Sequence, residues 1–146
     1  MRHRAKPSAG FTLVELLLVM GIMALVLVVV LNARPKAAAT RIAVTARAVG
    51  ATLQLARARA MASNAETVFR IDTDKLQFGL PRSMQSLPKG MTVAMTVAET
   101  ERVANIGGIR FFPDGQSSGG EIALSLEGRS ARIAVNWLTG EPQLNR

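Results

Sequence analysis

The chain contains no cysteine and a single histidine, His3. Without cysteine there is no disulfide framework, no thiolate zinc site and no cysteine nucleophile. With one histidine the usual general base and the softer metal ligands are missing too. The carboxylates are scattered, with no paired spacing to recommend any two as acid and base. These absences disfavour an enzyme and predict neither a metal nor another cofactor. Acids are also scarce in one region: residues 1–65 hold nine Lys and Arg against one acid, Glu15, whereas residues 66–146 hold nine of each. The net charge of +8 therefore belongs to the first part of the chain. Such an excess can serve nucleic acid, but here it flanks an apolar segment, which suits a membrane surface at least as well.

What is present bounds the rest. The length of 146 residues is enough for one domain, and a composition 49% hydrophobic and 19% charged rules out wholesale disorder. From Phe11 to Leu31 the only polar side chains are Thr12 and Glu15. As a helix this run would be about 31 Å long, close to the hydrocarbon thickness of a bilayer. A cleaved secretory signal has a shorter apolar core and no acid in it, so spanning is the better reading. The small residues Ala37, Ala38 and Ala39 leave conventional signal cleavage as a weaker alternative. Orientation is close to a tie, with Arg2, Arg4 and Lys6 before the run and Arg34, Lys36 and Arg41 after it.

Glu15 is costly in such a helix, about 2.5–3.5 kcal/mol for an acid at the bilayer centre and less near the interface. Two readings remain open on local physics. Thr12 and Glu15 fit the S/T-x-x-E capping box, and an acid in a first turn meets the favourable end of the helix dipole. Alternatively, Glu15 pairs with a positive group of a neighbouring subunit within the membrane.

Beyond the run, Pro35 should kink or loosen the helix. A helical pattern resumes from Ala37 to about Ala65. Ile42, Ala46, Val49, Leu53, Ala56 and Ala60 form one apolar stripe at three- and four-residue steps. Val44, Ala48, Ala51, Leu55, Ala58 and Ala62 form a second, weaker one. One stripe can cover a sheet and leave the other to a partner helix. Arg41, Arg47, Arg57 and Arg59 are spread around the helix, which predicts a solvated surface or contact with lipid headgroups or partner acids. No aromatic residue lies among them to stack on bases.

From Glu66 the period changes to two. Phe69 and Ile71, then Leu76, Phe78 and Leu80, predict a hairpin turning at Thr73–Lys75. The stretch from Pro81 to Gly90 reads as a loop, and Met91, Val93, Met95 and Val97 as a strand. Ile109 and Phe111 open a strand that Pro113-Asp114-Gly115 ends in a turn. Ile122, Leu124 and Leu126 alternate, as do Ala131, Ile133, Val135 and Trp137, joined through Glu127–Arg129. The expected fold class is α+β: a long N-terminal helix, membrane-spanning in its first half, packed on one antiparallel β-sheet. Within the loop after Phe111, Asp114, Ser117 and Ser118 hint at calcium and the glycines at phosphate. One acid is too few for a calcium loop, and a strand pattern follows where a phosphate loop needs a helix. A structural turn and connecting loop is the better reading.

Two stretches carry a resemblance. Gly10-Phe11-Thr12-Leu13-Val14-Glu15-Leu16-Leu17, after a basic leader and before the apolar run, resembles a type IV prepilin signal. The resemblance implies cleavage between Gly10 and Phe11 by a prepilin peptidase on the cytoplasmic face and N-methylation of the new Phe11 amine. It implies that Glu15 neutralises the terminal amine of an adjacent subunit during fibre assembly. Leu87-Pro88-Lys89-Gly90, Ile109 to Gly120 with its Phe-Pro-Asp-Gly turn, and Val135-Asn136-Trp137-Leu138-Thr139-Gly140 resemble the H-type minor pseudopilin family of type II secretion.

Together the resemblances imply four parts: a cleaved leader at 1–10, a transmembrane helix at 11–31, its continuation against the sheet at 32–65, and a periplasmic antiparallel β domain at 66–146. The implied protein is a structural subunit that assembles a pseudopilus for exporting folded periplasmic proteins, anchored once in the bacterial inner membrane. The implied partners are the other minor pseudopilins, the major pseudopilin, the prepilin peptidase and inner-membrane lipid, with no small-molecule substrate. A type IV pilus minor pilin is the alternative. A DNA-binding pilin, using Arg129, Arg132 and Arg146 on phosphates, is disfavoured by the balanced charge of residues 66–146 and by nearby acids such as Glu127 and Glu141.

Overall fold

The computed structural model describes residues 12–98 and 102–145, with backbone alone over 32–37 and 102–103. Leu13–Ser63 forms one 51-residue helix, α1. Thr12 caps it: its carbonyl accepts from the Leu16 amide at 3.2 Å and its hydroxyl from the Glu15 amide at 3.3 Å. The helix continues through Pro35, where the sequence predicts a kink or loosening. It ends at Ser63, two residues before the expected boundary. Asn64 adopts a left-handed φ of 49°, and the Ala65 amide reaches back to the Ala60 carbonyl at 3.3 Å, a Schellman-type stop.

The chain divides into two compact units, one up to Lys36 and the other from Ala37. In the first, Leu13–Leu31 has a mean hydropathy of 3.0 and no part of it is buried. Among the described residues it is the one helix long and apolar enough to cross a membrane.

The second unit contains the rest of α1 and nine strands: β1 (Thr67–Asp72), β2 (Gln77–Leu80), β3 (Ser83–Ser86), β4 (Thr92–Thr96), β5 (Arg102–Val103), β6 (Ile106–Phe111), β7 (Gly120–Leu126), β8 (Arg129–Val135) and β9 (Pro142–Asn145). The pairings are antiparallel. They form two sheets rather than the single sheet expected, one ordered β3-β2-β1-β6-β5 and the other β4-β7-β8-β9. Alternation tells which residues share a face but not which strand is the neighbour. The chain leaves the second sheet after β4, returns to pair β6 with β1, and re-enters the second sheet with β7.

Three further differences concern strands that the sequence did not reveal. β3 lies inside the stretch read as a loop, β9 follows the last expected strand, and β5 has only two residues. β3 is exposed along its length, and β9 is exposed in all but its first residue, so neither shows the apolar alternation that reveals a half-buried strand. Conversely, Met91 and Val97 fall just outside β4, and Trp137 lies beyond β8 with 64% of its surface exposed.

The first apolar stripe of α1 forms one wall of the core. Ile42, Ala46, Val49, Leu53, Ala56 and Ala60 are all buried, together with Phe69, Ile71, Ile109 and Phe111 from the five-stranded sheet. Ile122, Leu124 and Ile133 close the core from the other sheet. Burying a Val, Leu, Ile or Phe contributes about 1.5–3 kcal/mol each, which makes this stripe the main attachment of the helix. The second stripe stays outside, with Val44 and Leu55 more than half exposed. Gly107 lets the sheets approach, because a Cβ there would lie 2.8 Å from the Met95 sulfur of β4.

Candidate functional site

Two places carry the residues that the sequence singled out. At the start of α1, the Glu15 amide is held by Thr12 as in the first half of a capping box. The Glu15 carboxylate has no ion-pair partner among the described residues. An acid in a first helical turn is favoured by the helix dipole. Gly10 and Phe11 lie outside the described residues, as do the basic residues of the leader.

The second place is the segment after β6. Phe112 turns sharply: its carbonyl accepts from the Gly115 amide at 3.0 Å, and its amide donates to the Gln116 carbonyl at 2.9 Å. Asp114 closes the turn by accepting from the Gln116 amide at 3.0 Å through Oδ1. Ser117, buried at 5% exposure, ties this loop to the end of β8. Its amide donates to the Trp137 carbonyl at 2.9 Å, its hydroxyl donates to the Asn136 carbonyl at 3.1 Å, and that same hydroxyl accepts from the Gly119 amide. Ser118 fastens the loop to β6, accepting from the Arg110 amide at 3.0 Å.

The closing segment is folded in the same way. Asn136 Oδ1 accepts from the amides of Leu138 and Thr139 at 2.8 and 3.2 Å, and its carbonyl accepts from the Gly140 amide. Gly140 has a φ of 65°, and a Cβ there would collide with the Gly115 carbonyl oxygen. The two glycine turns are therefore pressed against each other: Gly140 has no room for a side chain, and Gly115, at a φ of 89°, would be strained by one.

Arg57 of α1 completes this junction. Its Nε donates to the Gly115 carbonyl at 3.1 Å, and the guanidinium lies against both glycines. The expectation that Arg57 belongs to a solvated surface is corrected: it is half-buried and bonded to a carbonyl 58 residues away. A signal existed, since position 57 lies one turn after Leu53 and three residues before Ala60, at the edge of the buried stripe. The Ser117 and Ser118 hydroxyls and the Asp114 carboxylate are engaged by backbone groups of the loop, of β6 and of the segment after β8. Among the described residues no group of three or more His, Asp or Glu is placed to hold a metal.

Of the arginines considered for phosphate contact, Arg132 pairs with Glu121 at 3.8 Å, Arg129 is exposed, and Arg146 lies outside the described residues. Arg110 is paired with Glu66. What the arrangement does is mechanical. Three elements distant in sequence, the helix and the ends of two strands from different sheets, are locked through Arg57, Ser117 and Asn136.

Comparison with known proteins follows the same two regions. The family model described as type II transport protein GspH matches residues 45–140, and the prokaryotic N-terminal methylation motif matches residues 5–31. Type II secretion system protein H of Xanthomonas campestris pv. campestris is 32% identical over 147 residues, covering 95% of this chain and 87% of that protein. Among solved structures, the minor pseudopilin EpsH of the Vibrio cholerae type 2 secretion system superposes with a TM-score of 0.57 at 14% identity, covering 72% of this chain and 96% of that one. The type IV minor pilin FimU of Pseudomonas aeruginosa superposes equally, with a TM-score of 0.57 at 15% identity over 73% and 90%. These two likenesses establish the α+β fold, which a secretion subunit and a pilus subunit share.

Proposed function

The chain belongs to the type II transport protein GspH family, and on that premise we propose how it is processed, anchored and assembled. The family is one of minor pseudopilins, structural proteins that assemble with other pseudopilins and are anchored in the inner membrane. Residues 1–10 are a leader removed between Gly10 and Phe11, and the exposed Phe11 amine is N-methylated. Residues 11–31 hold the protein in the membrane, 32–65 continue the helix, and 66–146 form a periplasmic domain. The chain has a structural rather than a catalytic role, in a pseudopilus that exports folded periplasmic proteins. Its partners are the major pseudopilin and the other minor ones, with the prepilin peptidase acting once on the precursor.

Glu15 neutralises the amine of an adjacent subunit. The observation that supports this is its position, four residues after Phe11, inside an apolar helix and without an ion-pair partner among the described residues. A carboxylate so placed gains most from a cation brought to it by assembly. Glu15→Ala should leave cleavage intact, as read by the mass of the mature amino terminus, and should sharply reduce cross-linking into the fibre. Normal incorporation of that variant would remove the role assigned to Glu15.

The observation that carries the secretion reading over the pilus reading is identity across 95% of the chain, because the fold is shared by both. The test is a clean deletion. Exoproteins should accumulate in the periplasm and be released on complementation. Unchanged secretion, with loss of surface pili, would favour a type IV minor pilin instead.

A further inference from the structure

At its β9 end the four-stranded sheet faces the flank of α1, with Pro142 and Leu144 lining clefts that α1 also lines. Its last strand, β9, is bonded to β8 on one side and, among the described residues, has no strand on the other. Between β8 and β9 on one side and the flank of α1 on the other run two clefts of about 500 and 220 Å³. They share Ala46, Arg47 and Leu144 and so form one groove. Its helix wall runs from Ala39 to Gln54 and is made of small residues such as Ala43 and Gly50. On the sheet side the buried Ile133 lies at its floor and Leu144, 40% exposed, at its rim. Two exposed guanidiniums, Arg47 and Arg129, line the groove, and neither has an ion-pair partner among the described residues. No acid lines it.

We propose that this groove binds an extended, acidic segment of a partner protein, added to β9 as a fifth strand with carboxylates reaching Arg47 and Arg129. The helix wall is about 22 Å long, which accommodates about seven residues of extended chain. An extended segment can also use the unpaired amides and carbonyls of β9, which a helix cannot. The apolar walls take alternate side chains of the segment, and the two arginines select acids over bases.

The inference rests on the reading of the chain as an assembly subunit. Peptide binding tests the groove alone, and secretion after deletion tests that reading, so the two can fail separately. The probe is a fluorescent seven-residue peptide alternating valine and glutamate, with a valine–lysine peptide for comparison, titrated into the full-length protein in detergent. The acidic peptide should bind saturably and slow hydrogen exchange in β9. Reversing both charges, Arg47→Glu with Arg129→Glu, should weaken it at least ten-fold and confer binding of the lysine peptide, with the melting temperature unchanged. No saturation, unprotected β9 amides, or an unaffected charge-reversed variant would overturn the proposal. So would protection of β9 by a helical peptide or phosphatidylglycerol vesicles in place of the acidic strand.

Discussion

Residues 13–31 and residues 38–60 of α1 are both helical and both rich in apolar side chains, yet they meet different surroundings. In the first stretch the apolar residues go all the way round and every large one is exposed. In the second they fall into a stripe, and Val49, Leu53, Ala56 and Ala60 have no exposed surface. A helix apolar on every side needs a solvent that is itself apolar, whereas a stripe needs one wall to cover it. The contrast shows where stability comes from in each half. Residues 13–31 are suited to a bilayer by transfer of the whole surface, residues 38–60 by packing against two sheets.

Substitutions can break that contrast from either side. The largest effect is expected for Val49→Asp, which places an unpaired carboxylate in the core at about 4 kcal/mol or more. The sheet unit should lose its cooperative melting transition, while membrane fractionation stays unchanged. Leu18→Asp should do the reverse. It costs about 2.5–3.5 kcal/mol of membrane insertion, read by the fraction extracted by carbonate, and leaves melting of the sheet unit intact. Gly140→Ala tests the junction that joins helix and sheets. Its left-handed φ and the collision with the Gly115 carbonyl should lower stability by about 2 kcal/mol, a shift of several degrees in Tm. Arg57→Ala removes the bond from α1 to the same carbonyl and should cost about 1 kcal/mol by denaturant titration. An Arg57→Ala loss as large as that of Val49→Asp would mean that the junction, not the stripe, holds the helix.

The stripe of α1 was legible because its period of 3.6 residues is written locally, and each of its six named members is buried. The same holds for Phe69, Ile71, Ile122, Leu124 and Ile133, whose alternation marks the inner faces of strands. The two hairpins, β1 with β2 and β7 with β8, were legible from their short connections, but the order of strands in the sheets was not. β6 returns across the chain to β1, and the exposed strands β3 and β9 carry no alternating apolar face to betray them. Of the candidate site, the turn at Asp114 was visible as turn chemistry, whereas the segment of the closing glycine turn stood out only by its resemblance to the family. That Gly115 and Gly140 press on each other was not, because the residues are far apart in sequence and meet only when both sheets are in place.

The sequence by itself determined the apolar anchor, the buried face of the helix, the strand periods and the family, since each depends on neighbouring residues or on a motif read in order. The tertiary structure alone decided that there are two sheets, that Arg57 is a tie rather than a surface charge, and that α1, β8 and β9 leave a groove lined by Arg47 and Arg129. Those features arise from contacts between residues distant along the chain, and no local period encodes which distant partner closes them.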